Sequence, residues 1–167
     1  MAVSTEAVKE LRQRMGAGVM ECKRALEEAD GDMERAAEIL RQRGLALAEA
    51  RAHRHTTQGL VECYIHAGGR IGAMVELNCE TDFVARTDTF KVLAHDLAMQ
   101  VAATGPLFIS PDDLPPGTEG DPSEICLLLQ PYIRDPSRTI QELISEAIGQ
   151  TKENIQVRRF ARFELGQ

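Results

Sequence analysis

Ile71-Gly72-Ala73-Met74-Val75-Glu76-Leu77-Asn78-Cys79-Glu80 is the stretch whose reading decides the fold. Ile71, Ala73, Val75, Leu77 and Cys79 alternate with Gly72, Met74, Glu76, Asn78 and Glu80. A period of two is that of a strand with one buried face. Just before it, Ala67-Gly68-Gly69-Arg70 supplies a glycine turn, and residues 60–66, LVECYIH, read as the other arm of a β-hairpin. Just after it, Thr81-Asp82-Phe83-Val84 reads as a loop. A helix from about Asp88 to Ala103 follows, with Thr87 as its cap and Phe90, Leu93, Ala94, Leu97, Ala98 and Val101 on one stripe.

Further along, residues 104–122 hold five prolines and three glycines and read as a loop with one short helical turn. Thr139-x-x-Glu142 is a capping box that opens a helix with Ile140, Leu143, Ile144, Ala147 and Ile148 inside. The last segment, NIQVRRFARFEL, alternates again and reads as a third strand. Its pattern puts Ile155, Val157, Ala161, Phe163 and Leu165 on one face, interrupted by Arg159, and leaves Arg158, Phe160 and Arg162 opposite. Residues 58–167 are therefore expected to form a small antiparallel sheet packed against helices, an α+β core.

Upstream, residues 1–44 read as three short helices. Ser4 caps the first, with Val8, Leu11 and Met15 on its apolar stripe, and Gly16-Ala17-Gly18 breaks it. The second runs from about Val19 to Ala29 and faces Cys22, Ala25, Leu26 and Ala29 inward. Asp32 caps the third, which carries Met33, Ala36, Ala37 and Leu40 and is expected to stop at Gly44. Residues 45–57 read as a helical linker.

Composition narrows the function. Net charge is −7, and residues 1–55 balance ten basic against ten acidic side chains, so the whole excess lies in residues 56–167. An acidic core disfavours broad contact with phosphate backbones and favours a protein partner over nucleic acid. No apolar run approaches the roughly 20 residues of a membrane span, and no secretory leader is read, so the expected location is cytoplasmic. Cys22, Cys63, Cys79 and Cys126 are scattered and read as buried free thiols, and His53-x-His55 lacks ligand partners, so no metal is expected. Phosphate-binding glycine loops, H-E-x-x-H and G-x-S-x-G are all missing from the chain, which argues against an enzyme and against a cofactor.

Two features remain. Val19 and Met20 start a helix straight after a glycine turn, where the stripe behind them is already filled, so one of the two is expected to point outward. Phe83 sits beside Asp82 between a strand and a helix; such a ring either tucks into its own core or stands out as a rigid apolar wedge.

VKELRQRMGAGVMECKRALEEADGDMERAAEILRQRG near the start, VELNCETDFVAR in the middle and ENIQVRRFARFELG at the end, in this order and spacing, resemble the bacterial elongation factor Ts family over essentially the whole chain. The resemblance implies a UBA-like three-helix module over 1–44, a linker over 45–57 and an α+β core over 58–167. It implies a guanine-nucleotide exchange factor for elongation factor Tu. Thr81, Asp82, Phe83 and Val84 would form the motif that presses toward the GTPase's Mg²⁺ and phosphates, and Arg12, Val19 and Met20 would dock on a helix of the same domain. The chain looks like the short, single-core form, which implies a homodimer. A reduced segment at 104–122 and Val19 in place of a frequent Met depart from the family pattern. A protein-binding adaptor built on the three-helix module, or an RNA contact by the basic linker, are the rival readings.

Overall fold

The computed structural model describes residues 3–167. Helices α1 (Thr5–Met15), α2 (Val19–Glu28) and α3 (Met33–Arg51) open the chain. The hydroxyl of Ser4 accepts the Ala7 N–H at 3.1 Å, and Gly16 ends α1 in the left-handed region at φ 64°. The Asp32 carboxylate accepts the Arg35 N–H at 2.9 Å and starts α3. Val8, Leu11, Met15, Cys22, Ala25, Leu26, Ala29, Ala36 and Ala37 form one buried cluster among the three helices.

The core then runs β1 (Gln58–Ile65), β2 (Ile71–Cys79), α4 (Asp82–Ala85), α5 (Asp88–Thr104), α6 (Pro122–Ile125), β3 (Pro131–Tyr132), β4 (Asp135–Thr139), α7 (Ile140–Thr151) and β5 (Ile155–Glu164). The main sheet is antiparallel in the order β1-β2-β5, and β3 and β4 form a separate two-stranded ribbon. Ala73, Val75, Leu77 and Cys79 of β2 pack with Phe90, Leu97 and Val101 of α5 and Ile140, Ile144 and Ile148 of α7 in a second buried cluster. The fold is α+β, with a helical bundle leading into a small antiparallel sheet. Gln100 is fully buried in α5: its amide donates to Gln130 Oε1 at 3.2 Å and Pro131 O at 3.1 Å, while its own oxygen accepts the Ile133 N–H at 2.9 Å. A buried amide satisfied in this way ties the irregular segment after α5 back onto the helix.

Four expectations are corrected. First, α3 does not stop at Gly44 but continues to Arg51, so residues 45–51 belong to it. Gly44 is there for close approach: a Cβ on it would meet the Ser145 carbonyl oxygen of α7 at 3.2 Å. Second, β5 does not keep one parity. Glu76 pairs with Arg159 but Leu77 with Val157, so Arg158 is an inserted bulge residue. Ile155 and Val157 face the core before the bulge. After it, Phe160 packs on the core, Arg162 Nε donates to Ala102 O at 3.0 Å, and Ala161, Phe163 and Leu165 turn to solvent. Third, Thr81-Asp82-Phe83-Val84 is not a loop but the start of the helical turn α4. Fourth, Cys22, Cys79 and Cys126 are buried, yet Cys63 is exposed.

The bulge leaves one end of the sheet's outer face apolar and uncovered, next to a row in which Glu76 pairs with Arg159 at 2.6 Å. Cys63, Met74 and Ala161 make one cross-strand row, and Ile65, Gly72 and Phe163 the next. Val61, Ile65, Met74, Phe163 and Leu165 are all exposed there.

Candidate partner-contact site

Thr81 leaves β2 in extended conformation, φ −125° and ψ 154°, and its hydroxyl accepts the Val84 N–H at 3.4 Å. The chain closes one turn: the Ala85 N–H donates to Thr81 O at 3.3 Å and the Arg86 N–H to Asp82 O at 3.2 Å. Thr87 seals the far end, donating its hydroxyl to Val84 O at 2.7 Å and accepting the Phe90 N–H at 3.3 Å. Two threonine caps so bracket four residues that would not hold a helix by propensity alone.

This turn divides its side chains. Ala85 is buried and Val84 packs against the sheet-and-helix core. Phe83 points away and is 78% exposed, and Asp82 beside it is half-buried. Asp82 pairs with Arg86 at 2.7 Å, an exposed contact that shapes the surface and adds little stability. Thr81 is half-buried, and its role is to hold the turn.

A residue that sequence reasoning missed fixes this turn. Glu153, just after α7, accepts the Glu80 N–H at 3.1 Å and the Thr81 N–H at 3.0 Å on one carboxylate oxygen, and the Thr81 hydroxyl at 2.6 Å on the other. Charge-assisted bonds of this kind are about twice as strong as neutral ones. Seventy-odd residues separate the partners, so no local pattern announces them. Beneath the turn, the Cys79 thiol donates to Thr81 O at 3.1 Å. Burial, and then the Glu153 carboxylate, push Cys79 up to about 11, so it remains a neutral thiol there.

The second set of residues lies on the helical bundle. Both Val19 and Met20 are exposed, at 50% and 60%, where only one was expected outward. Arg12 is exposed near the end of α1. Glu21, one residue on, reaches back to accept the Gly18 N–H at 3.1 Å and takes the Lys152 ammonium at 2.6 Å. Burial raises the Glu21 carboxyl, but Lys152 and the Gly18 N–H outweigh it and hold the group below its ordinary 4.5. The structure thus brings Thr81–Val84 together on one turn and keeps Arg12, Val19 and Met20 on a separate module.

Among the described residues, no group of three or more His, Cys, Asp or Glu side chains is placed to hold a metal ion. Among the same residues, no helix is long and apolar enough to cross a membrane.

The profile of the family described as Elongation factor TS matches residues 33–120. Elongation factor Ts of Carboxydothermus hydrogenoformans is 49% identical over 195 aligned residues, covering 99% of this chain and 90% of that protein. Elongation factor Ts of Heliobacterium modesticaldum is 48% identical, covering 99% and 91%, and that of Thermoanaerobacter pseudethanolicus 47%, covering 99% and 96%. The aligned span exceeds this chain's 167 residues, so these relatives carry stretches that it lacks. With identity at this level across nearly its whole length, the chain belongs to the elongation factor Ts family.

Proposed function

We propose that the chain is a non-enzymatic guanine-nucleotide exchange factor that speeds GDP release from elongation factor Tu. One observation carries the mechanism: a phenylalanine ring, 78% exposed, held on a helical turn that is capped at both ends and anchored from below. A large side chain in water with its backbone already fixed loses little entropy when it enters a pocket, and such residues dominate interface energetics. Asp82 and Phe83 form the wedge, Thr81 and Val84 secure it, and Arg12, Val19 and Met20 dock a second point on the same GTPase domain.

The energetics are those of linkage. A factor that prefers the nucleotide-free GTPase must weaken GDP by the same ratio that GDP weakens the factor. Mg²⁺ demands near-rigid octahedral geometry, so displacing its protein surroundings by about an ångström is costly to the bound nucleotide. No bond is made or broken by this chain.

The reading extends to organisation. Residues 1–44 act as the docking module, 45–57 as its connection and 58–167 as the core, working in the cytoplasm. A second copy of the chain covers the apolar part of the sheet's outer face, where Phe163 on the edge strand β5 is exposed with Ile65, Met74 and Leu165; contiguous exposed apolar patches mark association surfaces. Phe160, on the opposite face, packs against the core and takes no part in that pairing.

The deciding experiment follows release of a fluorescent GDP from elongation factor Tu with wild type and with Phe83→Ala. Wild type accelerates release and the variant does not. An adaptor built on the bundle is favoured by the exposure of Val19 and Met20; on that reading neither protein changes the release rate, and binding survives the loss of the ring.

A further inference from the structure

The junction between α7 and β5, residues 150–154, contacts both the helical bundle and the turn that carries Phe83. Gln150 Nε2 donates to Met15 O at 3.1 Å, at the end of α1. Lys152 Nζ meets Glu21 at 2.6 Å, in the first turn of α2. Glu153 takes the three bonds that set the start of α4. The Asn154 N–H donates to Glu80 Oε1 at 2.7 Å, and its side-chain amide donates to Arg54 O at 2.9 Å, in the segment leaving α3. These contacts join residues far apart in the chain through four positions within a five-residue stretch.

The backbone explains how neighbours serve opposite ends. Lys152 caps α7 in the left-handed region, at φ 61° and ψ 21°. For a residue other than glycine this conformation costs on the order of 1 kcal/mol. It turns the chain sharply, so that Lys152 reaches α2 while Glu153 reaches α4. Successive Cα atoms are about 3.8 Å apart. Phe83 and the Val19–Met20 pair are thereby referred to a single short lever. The helices behind it are close-packed, with Gly149 3.8 Å from the Gly44 Cα when given a Cβ.

We propose that Lys152 and Glu153 are positioning residues that hold the bundle's contact point and the Phe83 turn in one fixed frame, so that the GTPase is gripped at two points at once. This rests on the exchange-factor reading for its consequence but not for its geometry. Two contacts whose separation is fixed in advance bind as one, because the second costs no further search. If the frame loosens, each contact remains and their joint effect falls.

The test measures the frame on the chain alone. Spin labels are placed at Lys23→Cys and Arg86→Cys with the exposed Cys63 changed to Ser, and the distance distribution is recorded by pulsed dipolar spectroscopy. A single narrow distribution is expected for the parent, and a broad one for Lys152→Glu and for Glu153→Gln. The conservative Lys152→Arg, which keeps a cation for Glu21 and leaves the Gly18 N–H bond untouched, keeps the narrow one. In GDP release from elongation factor Tu, Lys152→Glu and Glu153→Gln each fall about three- to tenfold while Lys152→Arg does not. Unchanged widths in Lys152→Glu and in Glu153→Gln overturn the proposal, whatever happens to exchange. Because the distances need no partner, they stand apart from the Phe83→Ala assay, whose failure would count against the exchange reading alone.

Discussion

Phe83 and Phe163 are almost equally exposed, at 78% and 74%, yet their surroundings differ in kind. Phe83 stands on a capped turn beside the Asp82–Arg86 pair, with Val84 and Ala85 turned inward beneath it. Phe163 lies on a strand among Ile65, Met74 and Leu165, in an apolar face three strands wide. A lone aromatic on a stiff, polar-rimmed support suits a narrow pocket in a partner. A ring that is one of many suits a broad face, where energy is spread and no single side chain is decisive. Equal exposure therefore does not mean equal role; the neighbours decide.

The sharpest way to break this comparison is Phe83→Ala. Truncating a central aromatic anchor costs about 2–4 kcal/mol of binding, or roughly 30- to 1,000-fold in exchange efficiency. Its thermal stability should match wild type, since no core contact is removed and exposed substitutions usually change stability by less than about 0.5 kcal/mol. A matched loss in melting temperature, measured by calorimetry, would place the ring among the structural residues.

On the sheet, Phe163→Glu puts a carboxylate among the exposed Ile65, Met74 and Leu165, and burying it without a partner is costly. Self-association should weaken at least about tenfold. In sedimentation, the variant's mass should move toward the single chain's 18.4 kDa at concentrations where wild type stays heavier. Phe83→Ala should leave that mass unchanged. Wild type sedimenting at 18.4 kDa throughout would remove the pairing, and the contrast between the two rings would then have no basis in function.

Cys63 offers a gentler probe of the same face. It shares a cross-strand row with Met74, next to the row of Phe163, and it is the exposed thiol while Cys22, Cys79 and Cys126 are buried. Thiol labelling should reach Cys63 alone in the folded protein. Its rate should drop severalfold as protein concentration rises and copies pair. A rate independent of concentration would mean that the row stays open to solvent.

What the sequence disclosed follows the range of each interaction. The hairpin, the stripe of α5, and the caps Ser4, Asp32, Thr87 and Thr139 were legible because a strand repeat or a cap involves residues within a few positions. The bulge at Arg158 was not, although Arg159 interrupting the alternation was its trace, because a bulge is defined by the partner strand's register. Gly44 carried the composition of a helix stop, and only the presence of α7 against it shows why a helix needs glycine there. The site splits the same way. Thr81–Val84 stood out by type and place, whereas Glu153 and Lys152 have meaning only once residues more than seventy positions away are beside them.

The smallest expected effect concerns the cleft where bundle meets core, which Glu21 and Glu146 both border. Their carboxyls are shifted in opposite directions. Burial pushes Glu146 above its usual 4.5, against the pull of Arg138 at 2.6 Å. Glu21 is held below the same value by Lys152 and Gly18. For Glu146 the folded state binds its proton more tightly than the unfolded chain, so stability rises as pH falls through its folded value toward about 4.5. For Glu21 the unfolded chain takes the proton first, so stability declines as pH falls from about 4.5 through its lower folded value. Folding stability should therefore show a shallow optimum near the ordinary glutamate range, read as the denaturant midpoint against pH. Glu146→Gln should flatten the upper side of that optimum and Glu21→Gln the lower side. A profile that both variants leave unchanged would mean that neither carboxyl's surroundings in the cleft are coupled to folding.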